Sequence, residues 1–408
     1  MLGSVIKKAS GAVLALILAV GSVAPASAAT KDISDVVNTF NWKYFNQLEN
    51  DGTNQFYSPY GISEVVALAS NGGSNAEKKA VQKKTGVSSI AKLNKLYKNF
   101  NKSLKTNYTS GRLFKNSNVV LIDKTAEAAH NLNSNFSKVV KSTYNGTVKI
   151  YDIYGDVDGA KSYLKNYVKK ATNSFIPNYN SILNKLDVVD IMNVVYFKGD
   201  WAEPFDARNT TTMDFVTATG RYLDADMMIN TSNIYGYYEN KDFVGVSLPY
   251  KLKDSNRVVS MDIIIPTCTT CPKMMIRWQK LSNTKKEAFL NKIKTKANRK
   301  VCIYLPKFTI DKKYNMTSYI TSYTGGSNFN GILNDFDARI SNVQHQAKVK
   351  VDELGTEAAA VTEMTMDMTA IADKTVIKVV KCDRPFIFVI RDDKTGTELF
   401  TGVVNTLQ

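Results

Sequence analysis

The chain has 408 residues, with 53 lysines and arginines against 37 acidic residues and a formal charge of +16. A hydrophobic content of 44%, with 21 tyrosines and 18 phenylalanines, supplies a substantial core and excludes a disordered chain. The basic balance favours anionic glycans, cell-wall polymers or membrane surfaces as neighbours, and a lysine-rich solubilising surface is the simpler account.

The first element is a processing segment. Lys7 and Lys8 supply a positive end, 11–24 is apolar, and Ala26-Ser27-Ala28 is a small-residue cleavage signal. The pattern reads as a secretory signal peptide over 1–28, with a mature chain starting near Ala29 or Thr30. The apolar run falls short of the ~20 residues that a membrane anchor needs, and no later stretch reaches that length. The expectation is a secreted, extracellular monomer, not membrane-spanning, folded as one domain over 29–408.

Ser58-Pro59 then suits a helix start, with Ile62, Val65, Val66 and Ala69 at helical spacing and Asn71-Gly72-Gly73 as a stop. A second amphipathic helix covers 90–105, with Leu93, Leu96, Tyr97, Phe100 and Leu104 on one face. Lys92, Lys95, Lys98, Lys102 and Lys105 lie along the other, as a solvated face or a polyanion site. Strands are predicted at 118–122 and at 188–197, the latter apolar enough to be covered on both faces. Further strands are predicted at 243–248, 258–265, 301–308, 347–351, 385–391 and 399–404. Helices interleave early and strands dominate late, an α+β pattern.

Four cysteines in a chain of this size do not make a disulfide scaffold. Cys268 and Cys271 end a strand-like run, so a local disulfide is the ordinary reading. His130 and His345 are the only histidines, too few for a zinc site, and no metal or cofactor is expected.

The segment 353–371 carries two preferences. As a strand it would place Thr356, Ala358, Ala360, Thr362, Met364, Met366 and Met368 on one small or apolar face. Glu357, Ala359, Val361, Glu363, Thr365, Asp367 and Thr369 would face the other way. Yet Gly355 and three consecutive alanines are poor strand formers, and alanine is the best helix former. Such a stretch suits a segment with two states, or a plain surface helix.

The run Glu353-Leu354-Gly355-Thr356-Glu357-Ala358-Ala359-Ala360-Val361-Thr362 resembles the hinge of the inhibitory serpins. Other stretches resemble the same family in order along the chain. They are Asn54 to Pro59, Asn193 to Trp201 with Pro204-Phe205, Leu248-Pro249-Tyr250, Leu305 to Phe308, Asp383 to Phe388 and Gly402 to Asn405. The resemblance implies the serpin fold: a large central β-sheet, two further sheets, about eight or nine helices and an exposed reactive loop within 353–381. It departs from the family at Tyr167, at Asn173-Ser174-Phe175 and at Gly61.

By that resemblance the loop is bait for a serine or cysteine protease, and the freed segment 355–369 enters the central sheet while the acyl-enzyme is still intact. About a dozen new strand residues at 0.5–1.5 kcal/mol each would release on the order of 10 kcal/mol. The family spacing from Glu353 places the scissile bond at Thr369-Ala370, with Met368 as a neighbour. Counting back from Pro385 would give Lys374 instead. A Met-Thr-Ala bait suits elastase-like or subtilisin-like serine proteases, whereas Lys374 would suit trypsin-like ones. Ser58, Asn193 and His345 resemble the cluster that controls sheet opening, and Lys307 and Glu353 resemble an ion pair beside Trp201. Cys302 and Cys382 would fall on neighbouring strands, which leaves a disulfide between them open. The resemblance brings no cofactor and no nucleic-acid partner. The rival readings are a non-inhibitory carrier of the same fold, a secreted hydrolase and a polyanion-binding surface protein.

Overall fold

The computed structural model describes residues 32–107, 114–251, 259–268, 274–296, 298–336, 338–356 and 377–407, within one compact unit. The signal segment, Cys271 and the loop positions Glu357 to Thr362, Met368, Thr369, Ala370 and Lys374 lie outside the described residues. So does the side chain of Lys105.

The helices are α1 (Ile33–Phe45), α2 (Pro59–Ser70), α3 (Asn75–Thr85), α4 (Ile90–Asn107) and α5 (Lys124–His130). They continue with α6 (Ser134–Tyr144), α7 (Val157–Ala171), α8 (Met274–Gln279), α9 (Asn283–Thr295) and α10 (Thr317–Thr324). The strands are β1 (Gln55–Tyr57), β2 (Phe114–Asp123), β3 (Thr147–Tyr151), β4 (Val189–Phe197), β5 (Gly199–Asp200), β6 (Thr211–Val216), β7 (Tyr222–Glu239) and β8 (Phe243–Pro249). Then come β9 (Val259–Pro266), β10 (Arg299–Pro306), β11 (Phe308–Asn315), β12 (Ile340–Asp352), β13 (Gly355–Thr356), β14 (Lys378–Lys381), β15 (Phe386–Asp392) and β16 (Thr397–Val404).

The central sheet runs β3-β2-β4-β12-β13-β5, with β11 also on β12. The other strands form two sheets that share the long β7: one joins β6, β7, β10 and β14, and the other runs from the end of β7 through β8, β9, β15 and β16 to β1. Every residue of β4 is buried, because helices cover the central sheet on both faces. Val189, Ile191 and Val195 join the main core that includes α2, while Met192 and Val194 pack with α7. Alternate side chains thus serve two layers. Helix α2 begins where Ser58 accepts the Gly61 N–H and Pro59 takes the first turn, and it is buried on all sides.

The predicted strand at 301–308 divides at Lys307, so that β10 and β11 enter different sheets. The strands predicted at 118–122 and 347–351 are the apolar ends of the longer β2 and β12. Among the described residues there are ten α-helices rather than eight or nine, and the short α5 and α8 make the difference.

Candidate functional site: the top of the central sheet and the seam below it

β4 and β12 run parallel and pair directly from Val189 opposite Ile340 up to Val195 opposite Ala347. Above that point the chain of β12 turns through Glu353 and Leu354 and comes back down as β13. Gly355 and Thr356 pair antiparallel with Asp352 and Val351 on one side and with Asp200 and Gly199 on the other. The hinge therefore begins as a two-residue strand wedged in the top of the sheet. Gly355 is required there, since a Cβ would run into the Gly199 carbonyl oxygen.

The wedge is held from several elements. Thr356 is 1% exposed, and its hydroxyl lies 2.7 Å from that of Tyr250, whose phenol is raised by burial. Tyr250 stacks on Trp201 with ring centroids 4.5 Å apart. Trp201 donates its indole N–H to the Asp352 carbonyl and its backbone N–H to Leu354. Lys307 reaches Glu353 at 3.3 Å, and Thr210 donates to the same carboxylate. Burial works to raise the Glu353 carboxyl, but its hydrogen bonds and Lys307 outweigh it and leave the group below its usual range.

Beneath the wedge, Asn193 of β4 and His345 of β12 face each other across the seam, with the Asn193 Oδ1 2.8 Å from His345 Nδ1. The Ser58 N–H donates to His345 Nε2 at 3.0 Å. That fixes the tautomer: a neutral ring whose Nε2 accepts must carry its proton on Nδ1 and donate it to Asn193. Burial pushes His345 down to about 3, so the ring stays neutral. Gly61 lets α2 approach β4, for a Cβ there would lie 2.5 Å from both Asn193 Oδ1 and Val195 Cγ2. The departure at Gly61 is thus matched to the asparagine beside it.

The segment 172–187 after α7 lies across the seam like a strap. Ile176, Tyr179 and Leu183 share a cluster with Met192 and Val194 of β4. On the β12 side, Lys348 donates to the Phe175 carbonyl at 3.2 Å and Gln344 accepts from the Ile182 N–H at 3.3 Å.

The structure brings Ser58, Asn193 and His345 together, and Trp201, Lys307, Glu353, Gly355 and Thr356 together above them. Lys92, Lys95, Lys98 and Lys102 are exposed along α4. Cys302 and Cys382 are free thiols, which corrects the open disulfide. Cys302 pairs with Val379, so Cys382 stands three positions further along, about 10 Å away and beyond bridging distance. Cys268 is disulfide-bonded. Sequence reasoning gave Tyr250 no role at the site and missed Thr210 and the partners of Asn193 on β2, the half-buried Asn116 and the buried Asn118. It also missed Glu64, whose charge in the apolar run of α2 was the available signal. Among the described residues no group of three metal-ligating side chains is gathered, and no helix is long and apolar enough to cross a membrane.

A mixed central sheet with a short return strand between β12 and the two-residue β5, above a polar seam, defines an α+β protein with a hairpin at the top of its sheet. The family model for serpin (serine protease inhibitor) matches residues 35–407, and the chain belongs to the serpin family. An uncharacterised serpin-like protein of Thermococcus kodakarensis is 28% identical, covering 91% of this chain and 85% of that protein. Iripin-2 of Ixodes ricinus is 27% identical over 87% of this chain and 88% of its own length. The leukocyte elastase inhibitor of Xenopus laevis is 24% identical over 91% and 98% respectively. The thermophilic serpin tengpin in its native state shares the fold, with a TM-score of 0.79, 23% identity and coverage of 92% of this chain and 94% of that one.

Proposed function

We propose that this serpin is a secreted suicide inhibitor of serine proteases, cleaved at Thr369-Ala370 and arresting the acyl-enzyme by drawing 355–369 into the central sheet. The observation that carries the reading is the wedge: Gly355 and Thr356 already occupy the slot between β12 and β5, in the antiparallel sense that a longer insertion would continue. Thr356 faces inward, and the next inward positions by strand alternation are Ala358, Ala360 and Thr362, none of which brings a charge into the core. That chemistry favours inhibition over a carrier role, and Met368, Thr369 and Ala370 suit an elastase-like or subtilisin-like target. The name of the Xenopus relative points the same way. The proposed leader over 1–28 would deliver the inhibitor outside the cell.

A hydrolase reading has little support. His345 is buried against Asn193 and a backbone N–H, Ser58 gives its hydroxyl to the Leu399 carbonyl, and His130 stacks on Phe336. The lysine stripe of α4 would serve a polyanion that speeds inhibition, not replace it.

The test is incubation with an elastase-like protease, followed by denaturing electrophoresis. A boiling-resistant complex and a released peptide beginning at Ala370 are expected. Cleavage of the loop with no complex and no gain in thermal stability would refute inhibition by insertion.

A further inference from the structure

Glu64 is fully buried in the middle of α2, and its partners are three amides and a phenol. Oε1 accepts from Asn101 Nδ2 at 2.6 Å and, at 3.4 Å, from Tyr60. Oε2 accepts from Asn118 Nδ2 at 2.7 Å and from Asn116 Nδ2. Because both β2 asparagines aim their amide nitrogens at the carboxylate, both must turn their carbonyls toward β4. There each accepts one hydrogen of Asn193 Nδ2, at 2.8 Å in both cases. With its amide spent, Asn193 presents Oδ1 to His345 across the seam.

We propose that Glu64 is the positioning residue of the β4–β12 seam. Its carboxylate fixes the direction of one chain of hydrogen bonds, from Ser58 N–H through His345, Asn193 and the asparagine pair, and so holds the seam closed. Hydrogen bonds aligned head to tail polarise one another, and a full negative charge at the accepting end strengthens each of them, including the Asn193–His345 link that must break before a strand can enter. The value of this control rests on reading the seam as the entry slot. The relay itself does not.

Protonation or amidation of Glu64 would give one oxygen position a donor. With that donor at the Oε2 position, one β2 asparagine would face a donor with its own donor and would have to turn over, which leaves Asn193 with a mismatched partner. The carboxyl is pushed up to about 7 by burial, against the lowering effect of its asparagine donors. Tyr60 on the same helix, Tyr97 of α4 and Tyr144 of α6 face the group and are raised far above their ordinary range by burial, so they stay neutral. His345 does not titrate near neutrality. Asp190, on β4 beneath the strap, is also pushed up to about 7 by burial and needs its own control.

Hydrogen exchange by mass spectrometry on the intact chain tests the relay without any protease. After correction for the intrinsic exchange rate, amides of 190–195 and 342–347 should exchange about fivefold faster at pH 6 than at pH 8, the effect of weakening about one hydrogen bond. Glu64→Gln should exchange at the fast rate at both pH values, whereas Asp190→Asn should keep the step. Simple burial predicts the opposite sign. A carboxyl raised in the fold contributes stability below about 7 that is lost as pH rises, so the amides of β15 should loosen, not tighten, toward pH 8. Seam exchange that is flat from pH 6 to 8, or a step that survives in Glu64→Gln, would overturn the proposal. If that variant does not fold, the wild-type profile and the Asp190→Asn control decide the matter alone. Complex formation with a protease is scored separately, so a failed inhibitor reading would leave the exchange result standing.

Discussion

Replacing Thr356 by arginine separates insertion from cleavage. The residue is 1% exposed, and its hydroxyl meets Tyr250 at 2.7 Å. A guanidinium there finds Tyr250 and Trp201, and neither is a counter-charge. Burying an unpaired ion costs several kcal/mol, and the lost hydrogen bond adds about 1. Residue 356 already lies in the slot, so the arginine first expels the wedge. Burying it again on entry adds a barrier of about 5 kcal/mol, which slows entry by roughly three to four orders of magnitude. The chain would still be thermodynamically able to insert, since full entry releases on the order of 10 kcal/mol. Yet entry must outrun hydrolysis of the acyl-enzyme, and a delay of that size lets water win. Thr356→Arg should therefore behave as a substrate: the protease cleaves it, stays active and forms almost no boiling-resistant complex. Thr356→Val, which loses only a hydroxyl contact already made before cleavage, should leave the rate of entry and the yield of complex close to wild type. Equal complex yields for wild type and Thr356→Arg at equimolar protease would refute the reasoning.

Four further outcomes follow from the same geometry. Nicking the loop should raise the midpoint of thermal unfolding by roughly 10 °C, since ~10 kcal/mol is shared over a large unfolding entropy; calorimetry before and after cleavage reads it. Because His345 is lowered to about 3, its neutral form contributes stability that is intact above pH 6.5 and is lost as pH falls toward 3, at up to about 1.4 kcal/mol per unit. Denaturant titrations of wild type and His345→Gln between pH 6 and 4 should differ by that slope. Lys307→Ala, which removes a half-exposed ion pair, should cost under about 1 kcal/mol at neutral pH. Under native conditions a maleimide should label Cys302, half-exposed on β10, and spare Cys382, which is buried and raised by that burial.

The parts legible in the sequence are those in which neighbouring residues act together. The apolar run of β4 and the capped start of α2 announce their elements because each is decided locally. Gly355, Thr356 and the alanines after them likewise show a segment with small inward side chains. The relay is different in kind. Residues 64, 116, 118, 193 and 345 are far apart along the chain, and asparagine carries no period that would single it out. Only folding makes Asn116 and Asn118 neighbours of Glu64 on one side and Asn193 on the other. The extent of β7 was also hidden, because Asn230, Thr231, Ser232 and Asn233 interrupt its apolar alternation while the strand passes between two sheets. The wedge was visible as a motif but not as a position, since nothing in Gly-Thr tells that β5 stands waiting on its far side.

The strap over the seam has a mechanical consequence. Its apolar side chains grip β4, while its polar links through Phe175 and Ile182 reach Lys348 and Gln344 of β12. It is thus fastened to both banks of the gap that the proposed insertion would widen. A strand descending from Thr356 meets the first fastening at Lys348, close to where it starts, and below that level the two banks part together or not at all. On the proposed mechanism half-descended forms would then be scarce, and a trapped protease would be drawn in a single stroke after the fastenings give way.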